Sequence, residues 1–206
     1  MDGIASRRLA VVSAGACLAL AACAKGDQGA RRGAPNASQD SSVKAGVESL
    51  AAVNPAFGMS NAEIVATLDA ANAADSAGGA MAVRKGRSSD VKAFGRLMMG
   101  EHHALRARGQ VLAKRLNVTP DATAEQRTRA QGDSAAQRLD GLSGAEFDRA
   151  YLDHEVQVHE QVLGTLRKAQ GATTNAELKT LLRQAEPVIQ KHLDRARQLQ
   201  RQQART

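Results

Sequence analysis

From Ser60 onward, apolar residues recur at helical spacing along most of the chain. A first stripe is Ile64, Leu68, Ala71 and Ala82. A second is Val91, Phe94, Met98, Leu105, Leu112 and Leu116. A third is Leu152, Val156, Leu163 and Leu166, flanked by Phe147, Tyr151, Val158 and Val162. The fourth is Leu178, Leu182, Ala185, Val188, Ile189, Ala196 and Leu199. Spacings of three and four give each helix one apolar face. No window alternates with a period of two, and β-branched residues are sparse, so a sheet is not expected.

Start and stop residues divide the pattern into helices over about 61–86, 89–116, 144–170 and 175–203. Three starts read as S/T-x-x-E capping boxes: Ser60 with Glu63, Ser143 with Glu146, and Thr174 with Glu177. Ser88-Ser89-Asp90 offers a fourth cap, and its acid suits the positive end of a helix. Gly86, Asn117 and Gly171 stand at or near the ends. Four amphipathic helices of similar length imply an all-α, antiparallel four-helix bundle. Short connections make hairpins of the first and last pairs. The long connection over 117–143 crosses the bundle and carries a short polar helix from Ala124 to Leu139.

One titratable residue interrupts each stripe near mid-helix: Asp75, His102, His159 and His192. In an antiparallel bundle these positions meet at similar height and form one polar layer. Two chemistries fit. The layer can be a hydrogen-bonded Asp–His network that fixes helix register. Alternatively, three imidazoles and a carboxylate can hold Zn, Cu or Fe. Glu101 beside His102, and Glu155 one turn before His159, are candidates to orient the histidines; as surface charge they would do nothing, and Glu101 reads that way. His103 and His154 lie off the stripes and read as solvated or rim residues.

The N-terminus changes the picture. Met1 to Arg8 is a charged n-region, Leu9 to about Leu20 is apolar, and small residues follow, as in an export signal. The apolar run is shorter than the roughly 20 residues that span a bilayer. The sequence Leu20-Ala21-Ala22-Cys23 resembles a lipoprotein cleavage site, with Cys23 as the lipidated residue. Residues 1–22 are then a signal peptide, 23–58 a lipidated N-terminus and flexible tether, and 59–206 the helical domain. A short helix over 43–53 would stop before Pro55. Ala24 after the cysteine resembles the outer-membrane sorting of such lipoproteins, which places the domain in the periplasm.

Cys17 would leave with the signal and Cys23 would be acylated, so disulfides, thiolate catalysis and cysteine-held metal are excluded from the mature chain. Processing also removes Asp2, Arg7 and Arg8. The 28 basic and 21 acidic residues become 26 and 20, and the net charge goes from +7 to +6. A basic chain can attract lipid headgroups or anionic envelope polymers, and Arg195 to Arg205 is its most basic segment. No Trp, one Tyr and three Phe leave no stacking platform for nucleic acid.

Three segments carry a family resemblance: ANAADSAGGAMAVRKGRSSDVKAFGRLMMGEHHALRARGQVLAKRL, LSGAEFDRAYLDHEVQVHEQVLGTLRKAQ and EPVIQKHLDRARQL. The chain resembles domain-of-unknown-function family 4142 over about 57–204, with Glu101-His102, His159 and His192-Leu193 at the family's positions. The resemblance implies a ferritin-like bundle in an exported bacterial protein and no agreed activity. Ferritin-like proteins suggest a di-iron site built on Glu-x-x-His. Here Met99 and Ile189 stand three residues before His102 and His192, so a mononuclear site or a metal-free core is expected. The reading is a lipid-anchored envelope protein that binds or supports other components through a partner the sequence does not name. A metal-binding or metal-dependent redox protein is the alternative, and no catalytic residue is assigned.

Overall fold

The computed structural model describes residues 58–205, which form five α-helices; the described residues contain no strand. The expected signal peptide, Cys23, the tether and the helix over 43–53 lie outside the described residues. The helices are α1 (Asn61–Lys85), α2 (Ser89–Arg115), α3 (Ala122–Asp140), α4 (Gly144–Ala172) and α5 (Ala176–Gln203). The described part of the chain is therefore all-α, with four long helices and a crossover helix. No helix among the described residues is long and apolar enough to cross a membrane.

Two of the three expected capping boxes do not form. Ser60 does form one: its amide donates to Glu63 Oε2 at 2.8 Å, and its hydroxyl accepts from the Glu63 amide at 3.2 Å. Ser143 starts α4 without a side-chain cap bond. The reason is local backbone: Ser143 is extended and Gly144 has a left-handed φ of 62°. Gly144 is drawn instead into a backbone bridge with Gly86. Thr174 lies one residue before the actual cap of α5, because the Asn175 side chain reaches the Glu177 and Leu178 amides at 3.1 and 2.9 Å. Asp121 caps α3 through the Ala124 amide at 2.7 Å, which starts that helix at Ala122, two residues before the predicted Ala124.

The three-residue connection after α1 folds α2 back along it. Gly79 and Gly95 make the crossing: a Cβ on Gly79 would stand 2.5 Å from the Gly95 carbonyl, and one on Gly95 would stand 2.6 Å from the Gly79 carbonyl. Buried Asp148 of α4 accepts the Arg87 and Ser88 amides at 3.0 and 2.7 Å, tying this hairpin to the second one. α5 packs on α4, and α3 lies against α1. There Gly132 sits so close to Ala74 that a Cβ would meet its methyl at 2.8 Å.

The core is two apolar clusters. One gathers Ile64, Leu105, Leu112, Leu163, Leu166, Leu182 and Ile189. The other gathers Met81, Phe94, Met98, Phe147, Tyr151, Leu152 and Leu199. Burial at roughly 25 cal/mol per Å² of apolar surface makes these clusters the main source of stability. Between them along every long helix lies the polar layer: Asp75, His102, Glu155, His159 and His192, all buried.

Candidate metal centre

Helix spacing brings the layer together. His102 follows Met98 by one turn on α2, His159 precedes Leu163 by one turn on α4, and His192 follows Ile189 by three residues on α5. Each ring therefore points where its apolar neighbours point. The ring centroids of His102 and His192 are 4.9 Å apart, those of His159 and His192 5.4 Å, and those of His102 and His159 5.5 Å. One ring nitrogen from each lies within 4.8 Å of the other two.

Each histidine has one nitrogen held by an oxygen acceptor. His159 Nδ1 donates to the Glu155 carbonyl at 2.8 Å. A carbonyl only accepts, so the proton is on Nδ1 and Nε2 keeps its lone pair. His192 Nε2 donates to Glu101 Oε2 at 2.7 Å, which leaves the lone pair on Nδ1. His102 Nδ1 lies 2.9 Å from Asn72 Oδ1. The Asn72 amide nitrogen donates to the Leu68 carbonyl at 2.7 Å, so the amide is oriented with its oxygen toward His102. His102 Nε2, His159 Nε2 and His192 Nδ1 are buried without a partner. Each of the three clustered rings thus keeps one buried lone pair free.

Burial sets the charge of these groups. Loss of water holds His102 down at about 2 and His159 at about 4, and each is helped by the neighbouring histidines. Burial lowers His192 as well, against the pull of Glu101. All three rings are neutral near pH 7, the form in which imidazole binds metal. Burial alone would raise Glu101, but hydrogen bonds from Lys191 and His192 outweigh it and hold the carboxyl below its usual range. Glu101 is half-buried and joins the layer to Lys191, whose ammonium lies 2.9 Å from Oε1.

The acids behind the histidines behave differently. Asp75 Oδ2 stands 3.5 Å from His102 Nδ1, the nitrogen that already bonds Asn72. Glu155 Oε2 stands 3.3 Å from His159 Nδ1. Burial raises Asp75 to about 7; Glu155 rises well above its usual range through burial and the neighbouring Asp75 charge. Tyr151, one turn before Glu155, is buried, and its hydroxyl is raised by burial and by the neighbouring Glu155 and Asp75 carboxyls. Among the described residues, the side chains placed to share one ion are the three histidines. Asp75 and Glu155 stand on the outer nitrogens, where a carboxyl orients a ring and does not reach an ion on the other side.

His103 is exposed and His154 is partly buried at the edge of α4. Asn72, which orients His102, escaped the sequence reading because an uncharged amide three residues before Asp75 carries no distinctive signal. Asp148 escaped it because its partners are backbone amides about 60 residues away.

No curated protein matches the chain, and no solved structure does. A family model described as a domain of unknown function (DUF4142) matches residues 46–199, which take in the histidine layer and nearly all of the five helices, and the chain belongs to that family.

Proposed function

We propose that this protein binds a single transition-metal ion through His102, His159 and His192, in a domain tethered by lipid on Cys23 to the bacterial outer membrane, facing the periplasm. The observation that carries the metal reading is the set of three buried, unpartnered ring nitrogens, each fixed from behind by an oxygen acceptor. A self-contained hydrogen-bond network would pair those nitrogens inside the layer, because buried polar groups are paired. Three neutral imidazoles suit Zn, Cu or Fe, and oxygen partners on the outer nitrogens are the usual support for such ligands. Three points within 4.8 Å of one another fit a circle of radius about 2.8 Å. A Zn–N bond is roughly 2.0–2.1 Å, so an ion in the plane of the three nitrogens asks each ring to close by at most about 0.7 Å. Three ligands leave one position of a four-coordinate ion for water or a small ligand.

Cobalt(II) titration of metal-free protein tests the site. The expected result is one equivalent with visible bands of a tetrahedral ion, lost in His159→Ala. Saturation by no metal, or bands unchanged in His159→Ala, refutes it. The tether rests on the Leu20-Ala21-Ala22-Cys23 pattern. Cys23→Ser should release the protein from membranes, and acyl labelling that persists in that variant would contradict this assignment.

A further inference from the structure

A cavity lies beside His102, between α1, α2, α4 and α5. It offers the centre of a water-sized sphere about 40 Å³, whereas roughly 10–15 Å³ on that scale is enough for one water. Most of its wall is aliphatic: Leu105, Leu166, Leu178, Leu182, Ala185 and Ile189. Its polar end is Asn72, Asp75 and His102. Asn72 already bonds His102 and the Leu68 carbonyl, so of the polar end the Asp75 carboxyl alone keeps hydrogen-bonding capacity toward the aliphatic part. Such a space disfavours water, which needs two to four polar partners, and accepts small apolar molecules.

A second observation gives the cavity a way in. A groove of about 530 Å³ runs between α1, α3 and α4. Leu68, Ala71, Asp75 and Val162 line both the groove and the cavity. These residues form the partition between the two spaces. On another side the cavity wall includes Asp69 and Arg106, closed by a two-pronged ion pair at 3.0 and 3.1 Å and braced by Gln110. The partition beneath α3 is thus one side-chain layer shared by both spaces, with Leu68, Ala71 and Val162 as its apolar part.

We infer that this cavity is a binding site for a gas-sized apolar molecule, of the class of dioxygen or xenon, which comes in from the α1–α3–α4 groove past Leu68 and Val162 and rests against His102. The inference stands on the shape and lining of the cavity, whether or not the histidines hold an ion.

Xenon is the probe, used on the metal-free full chain so that metal occupancy plays no part. Crystals under xenon pressure should show one xenon per chain beside Leu182 and Ala185. Ala185→Leu fills the space and should lower its occupancy at least tenfold; Ala185→Val serves if the larger side chain prevents folding. An empty or water-filled cavity under xenon, or unchanged occupancy in both variants, overturns the proposal. Dioxygen at matched pressure should selectively broaden the methyl resonances of Leu105, Leu166 and Leu182, and uniform broadening across the protein would also overturn it. Leu68→Trp should slow xenon exchange by about tenfold or more, and unchanged exchange overturns the route.

Discussion

The apolar halves of the core and the polar layer between them are made by the same helices at the same spacing, yet burial does opposite things in the two. Around Phe147, Leu152 and Leu182, burial is the stabilising force. Around His102, His159 and Asp75, burial costs free energy because it removes water from groups that want it. Burial drives the layer toward neutrality, disfavouring protons on the histidines and favouring them on Asp75 and Glu155. Stability and the capacity to bind are thus assigned to different slices of one bundle. The layer is retained at a cost to the fold, which is the pattern expected of a binding site.

The sharpest way to break this comparison is the pH dependence of metal affinity. Unperturbed imidazoles, with pKa about 6.5, would lose roughly 10⁴-fold in three-ligand affinity between pH 7 and pH 5. His102 and His159 have no proton to displace in that range, and His192 is lowered as well, so calorimetry should find a loss below about 25-fold, the most that one ordinary imidazole would cause. A loss of about 10³-fold or more would mean that the layer is hydrated. Next in size is Phe147→Ala. It removes a fully buried ring stacked on Tyr151 and should cost about 3–5 kcal/mol in denaturant unfolding. Metal stoichiometry should be unchanged where the variant stays folded.

Asp75 supplies a pH signature in stability. In the folded protein it holds its proton up to about 7, against 3.8 for an ordinary aspartate. Its contribution is therefore fully present below about 3.8 and is lost as pH rises through about 7. The histidines run the other way. His102 and His159 titrate at about 2 and about 4 when folded, against 6.5 ordinarily, so their contribution is present above about 6.5 and is lost as pH falls through the folded values. Asp75→Asn should gain stability over the parent between pH 4 and pH 8, by up to about 4 kcal/mol. A parallel pair of pH–stability curves would contradict the placement of that proton. The smallest expected effect is His159→Leu in metal-free protein. An apolar side chain of similar volume should change stability by less than about 1.5 kcal/mol while abolishing metal binding. A cost above about 3 kcal/mol would make the layer a structural network.

The layer was legible in the sequence because a bundle has a simple grammar. A polar residue on an apolar stripe must be buried, and mid-helix positions of antiparallel helices share a height. That placed Asp75, His102, His159 and His192 together before any coordinate. Which nitrogen of each ring stays open was not legible. It depends on Asn72, on the Glu155 backbone carbonyl and on Glu101 of one helix reaching His192 of another, and no spacing rule gives these contacts. Glu101 illustrates the limit: it lies next to His102 in sequence and reads as surface charge, yet it bonds His192, 91 residues away. Helix starts show the same division. Ser60 caps its helix as its pattern predicts, but Ser143 does not, because the left-handed Gly144 after it redirects the backbone. The close crossing at Gly79 and Gly95 is also tertiary, since either glycine alone reads only as a weak point in a helix.

The central claim is that the three histidines hold one ion, and metal content tests it most directly. Protein purified without chelators, then analysed for Zn, Cu and Fe, should carry about one metal per chain, and the His102→Ala, His159→Ala and His192→Ala variants should each carry none. Absence of metal in the parent protein, with a melting temperature unmoved by added Zn, Cu or Fe, would contradict it.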